Sequence, residues 1–252
     1  MLNYIKSEFY RIFHSLSTYV TLGIFVGLAL LINCGLAIFA AINPGWGYGN
    51  TSFSMQFLLQ LPSLYVYAAA ILVYILYEGI GKNGSLKNAV AFGVSREKIM
   101  LSQLIVSLIF CLGIMLVTLG VYFASAYALL RHEGIFSSAD VMQQALAVLL
   151  SAVASLVLAV LCVDLTDRGV IGILIWLAVF VLVPYVCQWI GYQVDFFAKA
   201  ASWMPMNFMD MMNATEAFWQ TKDGIIKCLV SGAAGTAIFA LAGWLVLRRK
   251  EI

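Results

Sequence analysis

Apolar positions along this chain do not alternate with polar ones; they gather into six long runs separated by short polar segments. The runs cover about Thr18 to Ile42, Phe57 to Tyr77, Ile99 to Leu130, Val141 to Val163, Gly169 to Gly191 and Gly224 to Leu247. A helix that crosses a bilayer needs roughly 20 apolar residues, so each run predicts one spanning helix. The third, at about 1.5 Å per residue, exceeds a hydrocarbon core of roughly 30 Å and must tilt or protrude. Ahead of them lies a different pattern. Leu2, Ile5, Phe9, Ile12, Phe13 and Leu16 repeat at helical spacing, with Asn3, Lys6, Arg11 and His14 mainly on the other side. Residues 1–17 are therefore expected to form an amphipathic helix lying in the membrane interface, the alternative being a cytosolic helix packed on a partner. The predicted fold is an all-α integral membrane domain over residues 18–247, with a basic tail at 248–252.

Composition agrees with this pattern. Hydrophobic residues make up 63% of the 252 and charged residues only 10%, against roughly a quarter charged in soluble domains. A net charge of +2 leaves no footprint for nucleic acid. The first apolar run outlasts the roughly 7 to 15 residues of a secretory signal, so it is expected to stay as an anchor. Cys34, Cys111, Cys162, Cys187 and Cys228 fall singly in apolar stretches and read as small hydrophobes.

The placement of charge sets an orientation. Lys6, Arg11, Lys82, Lys87, Arg96, Lys98, Arg168, Arg248, Arg249 and Lys250 fall on one side of the six runs, and only Arg131, Lys199, Lys222 and Lys227 on the other. The richer side is cytoplasmic by the positive-inside rule, which puts both termini inside. Outside, Asn43 to Gly49 is a turn-rich aromatic loop suited to the headgroup layer, and residues 192–223 form a hairpin expected to hold short helices.

Catalytic and metal-binding patterns are missing from the sequence. Gly79-Ile80-Gly81-Lys82-Asn83-Gly84 has glycine spacing of the phosphate-binding kind, but it follows a spanning helix and runs on into Ser85-Leu86 rather than Lys-Ser/Thr. Asp164 and Asp167 are three apart in a short inner turn, where pairing for acid-base chemistry competes with capping of the next helix by Asp167 or Thr166. No charged residue lies between Ser15 and Tyr77, and the other runs carry charge only near their ends. Ion-driven transporters commonly place ionisable groups at membrane depth, so any solute movement here is expected to draw its energy from another subunit. The chain itself reads as no enzyme, with no cofactor of its own.

The inner loop between the second and third runs carries the most specific pattern. Ser85 can cap a helix, Leu86 to Phe92 suit two helical turns, Gly93 can end them, and Ser95 can cap the long third helix. A short helix of about residues 85–93 lying across the cytoplasmic surface is expected, the alternative being a basic loop that serves topology alone. At Glu78, Gly84, Ser85, Leu86, Lys87, Gly93, Val94, Ser95, Arg96 and Lys98 the chain resembles the permease subunits of type-2 ABC exporters. In that family an acidic residue at the inner end of the second span is followed by Gly-Thr/Ser-Leu/Ile-Lys, a short helix, then Gly/Pro-Val-Ser-Arg and a basic residue entering the third span. The resemblance implies that Glu78, Ser85, Leu86, Lys87, Ala89, Val90, Phe92, Gly93 and Arg96 couple the membrane domain to a separate ATPase subunit, which binds ATP and Mg. It further implies a second copy of the chain or a related permease, a bacterial plasma membrane and export. The N-terminal run and closing basic residues look most like permeases for amphipathic peptides, of the phenol-soluble-modulin or lantibiotic-immunity kind. Asn33, Gln60, Tyr67 and Tyr74 are the polar and aromatic residues that could line a path for an amphipathic peptide or hydrophobic molecule, or simply pack between helices. A membrane scaffold that anchors a cytosolic partner through the same loop is the alternative function.

Overall fold

The computed structural model describes residues 2–43, 45–77, 95–166, 169–210 and 217–249. Those residues are almost wholly helical; the only β feature among them is an isolated bridge between Asn50 and Arg131. The helices are α1 (Leu2–Phe13), α2 (Leu16–Ile42), α3 (Thr51–Leu59), α4 (Ser63–Tyr77), α5 (Arg96–Leu129), α6 (Ser138–Leu165), α7 (Gly169–Leu177), α8 (Val183–Gly191), α9 (Asp195–Ala201), α10 (Pro205–Phe208) and α11 (Lys222–Arg249). A π-helical turn over Ala178–Leu182 joins α7 to α8 in one continuous rod. Pro184 sits at the start of α8; without an N–H it cannot close the usual bond to the preceding turn, and a local change of winding accommodates that loss.

Among the described residues five helices are long and apolar enough to cross a membrane, and the bent pair α3 and α4 brings the number to six if it counts as one span. The run expected from Phe57 to Tyr77 is thus not one straight helix. It breaks at Gln60-Leu61-Pro62, and the two pieces meet at 68°. Pro62 is the cause: it offers no hydrogen to the preceding turn and clashes with a continuing helix. The freed carbonyl of Leu59 is met from outside, by Gln144 Nε2 on α6 at 2.7 Å.

Helix α6 is the centre of the bundle. It packs against α11, α4, α7, α5 and α3, whereas α2 and α11 turn most of their surface outward. The α6–α11 seam is close because glycines face it. A Cβ on Gly232 would lie 2.6 Å from Leu150 Cβ, and one on Gly235 would lie 3.2 Å from Ala154 Cβ. Without water to drive helices together, such small-residue contact is what holds them in a bilayer. By contrast Gly23 and Gly27, the G-x-x-x-G of the first span, meet nothing within 4 Å. The outward faces of α2, α7, α8 and α11 carry Ile24, Leu31, Leu174, Val186, Leu229 and Leu241 exposed, an apolar surface far beyond what a soluble monomer shows.

The N-terminal helix docks by Ile5, Phe9 and Ile12 onto the bundle core. Its junction with α2 is fixed by two side chains of the next helix, Thr18 Oγ1 donating to Ile12 O at 2.7 Å and Tyr19 Oη to Phe13 O at 2.8 Å. These satisfy carbonyls that a helix end leaves over. Leu2, Phe13 and Leu16, counted on the apolar stripe in the sequence, stay exposed, while Glu8 lies on the buried side.

Candidate functional site

Four elements converge where the chain enters and leaves residues 78–94. Helix α4 ends there at Tyr77 and α5 starts at Arg96; α1 crosses them, and the last turn of α6 comes up beside. The convergence is polar although the bundle around it is not. Arg11 Nη1 donates to Leu76 O at 2.9 Å and its Nη2 pairs with Glu8 at 2.6 Å. The guanidinium carbon also stands 5.4 Å from the centre of the Tyr77 ring. A cation at this point meets leftover carbonyls and the negative end of the α4 dipole together, and it stacks on an aromatic face.

The network continues inward. Tyr77 Oη donates to Gln103 O at 3.2 Å and accepts from Ser107 Oγ at 3.4 Å. With its amide nitrogen facing the carboxylate, Gln103 donates to both Asp164 oxygens at 3.0 and 3.2 Å; the opposite orientation would set carbonyl oxygen against carboxylate. Glu8 and Asp164 are only 8% and 6% exposed, and buried carboxylates demand such partners. Burial first, and then the nearby Glu8 and Asp164 charges, hold the Tyr4 phenol well above its ordinary range, so it stays a neutral donor beside them.

Sequence reasoning missed most of this centre. Glu8 and Arg11 are spaced i, i+3 on α1, a legible pair, yet Glu8 falls on the buried side. Asp164, expected in the short inner turn, belongs to the last turn of α6 and is buried. Thr166, expected as a cap for the next helix, bonds backward to Cys162 O at 2.7 Å instead; Asp167 lies outside the described residues. Ser95 does occupy the N-cap position of α5, but its side chain makes no capping bond.

The expected coupling residues fall as follows. Glu78, Ser85, Leu86, Lys87, Ala89, Val90, Phe92 and Gly93 lie outside the described residues, and Arg96 opens α5. The four expected path residues do not meet. Asn33, fully buried, donates to Tyr122 O at 2.9 Å and Ser125 Oγ at 2.8 Å and accepts from Ser54 Oγ at 2.6 Å, tying α2, α3 and α5 together. Gln60 is exposed at the helix break. Tyr67 packs edge-on to Trp176 with ring centres 5.7 Å apart, and Tyr74 lies against Gly172 of α7.

A cavity of about 100 Å³ lies between the broken span, α5 and α6, lined by Leu58, Tyr65, Ala69, Cys111, Met115 and Ala152 among others, and none of the four expected path residues borders it. Among the described residues no group of three or more His, Cys, Asp or Glu could hold a metal ion, and all five cysteines are free. No protein family, curated protein or solved structure matches this chain.

Proposed function

We propose that this chain is the membrane-spanning subunit of an ATP-driven exporter, that residues 85–93 dock onto a separate ATPase subunit, and that the cargo is an amphipathic peptide or other hydrophobic molecule. In this reading α3 and α4 together make one span of six, α1 lies in the inner interface of the plasma membrane, and both termini are cytoplasmic. A second copy of the chain or a related permease completes the transporter, and ATP with Mg binds the ATPase.

One observation supports the reading more than any other. Residues 78–98 carry the exporter-like pattern from Glu78 to Lys98, and the chain leaves α4 and enters α5 beside the network of Arg11, Glu8, Tyr77, Gln103 and Asp164. A push on that segment reaches α1, α4, α5 and α6 through bonds of 2.6 to 3.2 Å. Packed cores transmit such displacements because they are dense and poorly compressible.

The test is co-expression with candidate ABC ATPases, purification of the complex, and measurement of ATP turnover in proteoliposomes. Ala89→Asp places a carboxylate at the proposed contact, and an unpaired charge buried at an interface costs several kcal/mol. The expected result is loss of ATPase capture and of peptide-stimulated turnover, with unchanged membrane insertion. Full capture and turnover by Ala89→Asp would remove the coupling assignment.

A further inference from the structure

At the opposite end of the bundle from the Arg11 network, α9 and α10 fold over a recess of about 400 Å³, bordered by Gln188, Tyr192, Ser202, Asn207 and Lys227 together with Gly191 and Phe208. The recess is built, not incidental. A Cβ on Gly191 would lie 2.8 Å from Ala198 Cα, so glycine lets α9 close directly onto the end of α8. Asn207 Nδ2 holds the roof by donating to Pro184 O at 3.1 Å and Ala201 O at 3.0 Å.

Lys227, on the border of the recess, pairs through Nζ at 2.9 Å with Asp223, which lies one turn nearer the start of α11 and outside the lining; the lysine side chain is 24% exposed and the aspartate 77%. Lysine carries three donors, and this bond uses one. The pair has no net charge, so a simple anion approaching Lys227 also meets the Asp223 carboxylate. A ligand bearing both signs meets a partner for each.

The surroundings fix the depth. Tyr192 borders the recess, and Tyr185 and Trp189 of α8, Phe196 of α9 and Trp203 just after α9 are exposed with it, the residue types that gather at the headgroup level of a bilayer. Nearer the start of α8, further from the recess, Val183 and Val186 are exposed apolar positions, along which acyl chains can lie.

We infer that this recess binds the zwitterionic headgroup of a glycerophospholipid of the phosphoethanolamine type, its phosphodiester on Lys227 and its ammonium on Asp223. This inference rests on the chain being a membrane protein and is independent of the ATPase coupling. Bound there, a lipid would join α8, α9 and α11 at the outer surface.

The experiment uses the purified full-length chain in maltoside micelles and reads its thermal unfolding. Lysophosphatidylethanolamine, lysophosphatidylglycerol and free phosphoethanolamine are added at equal concentrations. The zwitterionic lysolipid is expected to raise the Tm by about 3 °C, as saturating ligand does for a protein of this size. The anionic lysolipid should give less than half that shift, and the free headgroup none. Lys227→Met should abolish the shift, and Asp223→Asn should make the anionic lysolipid at least as effective as the zwitterionic one. Equal shifts from both lysolipids with the unaltered chain, or a full shift with Lys227→Met, would overturn the site. Equal stabilisation by free phosphoethanolamine would overturn its assignment to lipid. If Lys227→Met is not recovered folded, Asp223→Asn decides alone, since an unchanged lipid preference contradicts the pairing.

Discussion

Ending α3 at Leu59 strands a carbonyl that no helical N–H can reach, and in a bilayer there is no water to take its place. Gln144, fully buried, supplies the missing donor at 2.7 Å. Replacing Gln144 with Leu keeps its bulk but leaves the Leu59 carbonyl bare, a cost of about 1–3 kcal/mol. The expected outcome is a Tm lower by several degrees in detergent, with expression and topology retained; an unchanged Tm would show that the break needs no such support. Asn33 makes the same point for a residue that looked like part of a passage. Its amide and carbonyl are both spent on Tyr122, Ser125 and Ser54, so it fastens three helices and offers a passing molecule nothing. A polar residue within an apolar run shows that a partner is needed. It does not show whether that partner is a ligand or the chain itself.

At the scale of helices, hydropathy alone locates α2, α5, α6, the α7–α8 rod and α11 to within a few residues, because the bilayer thickness sets their length. It runs straight through Pro62, where the chemistry of one residue decides the geometry, and through Pro184, where the winding changes. Nor does it reveal which glycines pack. Gly23 and Gly27 have the familiar spacing yet meet nothing within 4 Å, whereas Gly232, in no such motif, would bring a Cβ within 2.7 Å of the Leu150 carbonyl carbon and 2.8 Å of Ser151 N. Contact of that kind depends on what stands opposite, which a single sequence does not state. The consequence is a paired prediction. Gly232→Ala must push α11 away from backbone and should cost about 1–3 kcal/mol despite the better helix propensity of alanine. Gly23→Ala, with open space around it, should be neutral or slightly stabilising. Thermal unfolding of the two variants side by side checks both, and equal effects would mean that the α6–α11 seam yields freely.

Across the whole molecule, the two ends of the bundle differ in what they hold. Arg11 on Leu76 O, Gln103 on Asp164, and Trp244 Nε1 on Glu97 at 3.0 Å gather the end of α1, the end of α4, the start of α5 and the ends of α6 and α11 at one end. Thr51 N on Arg131 O at 2.9 Å and Ser52 Oγ accepting from Ile135 and Phe136 N mark the other. The bent pair therefore runs from the Arg131 end, where α3 begins, to the Arg11 end, where α4 stops, and although α4 alone has only 15 residues, about 22 Å of helix, the pair connects both. On the proposed reading this is one crossing, which makes six and returns the C-terminus to the side on which the N-terminus began. On the same reading that end, where Arg11 lies, faces the cytoplasm, as the positive-inside rule expects of the side richer in Lys and Arg. In a background with its five cysteines replaced, Ser85→Cys and Lys250→Cys should react with a membrane-impermeant maleimide only after cells are permeabilised. Gly47→Cys, at an exposed position with open space around it, should react in intact cells. Labelling of positions 47, 85 and 250 alike in intact cells would require an odd number of crossings, and the broken helix would then have to turn back within the membrane instead of passing through it.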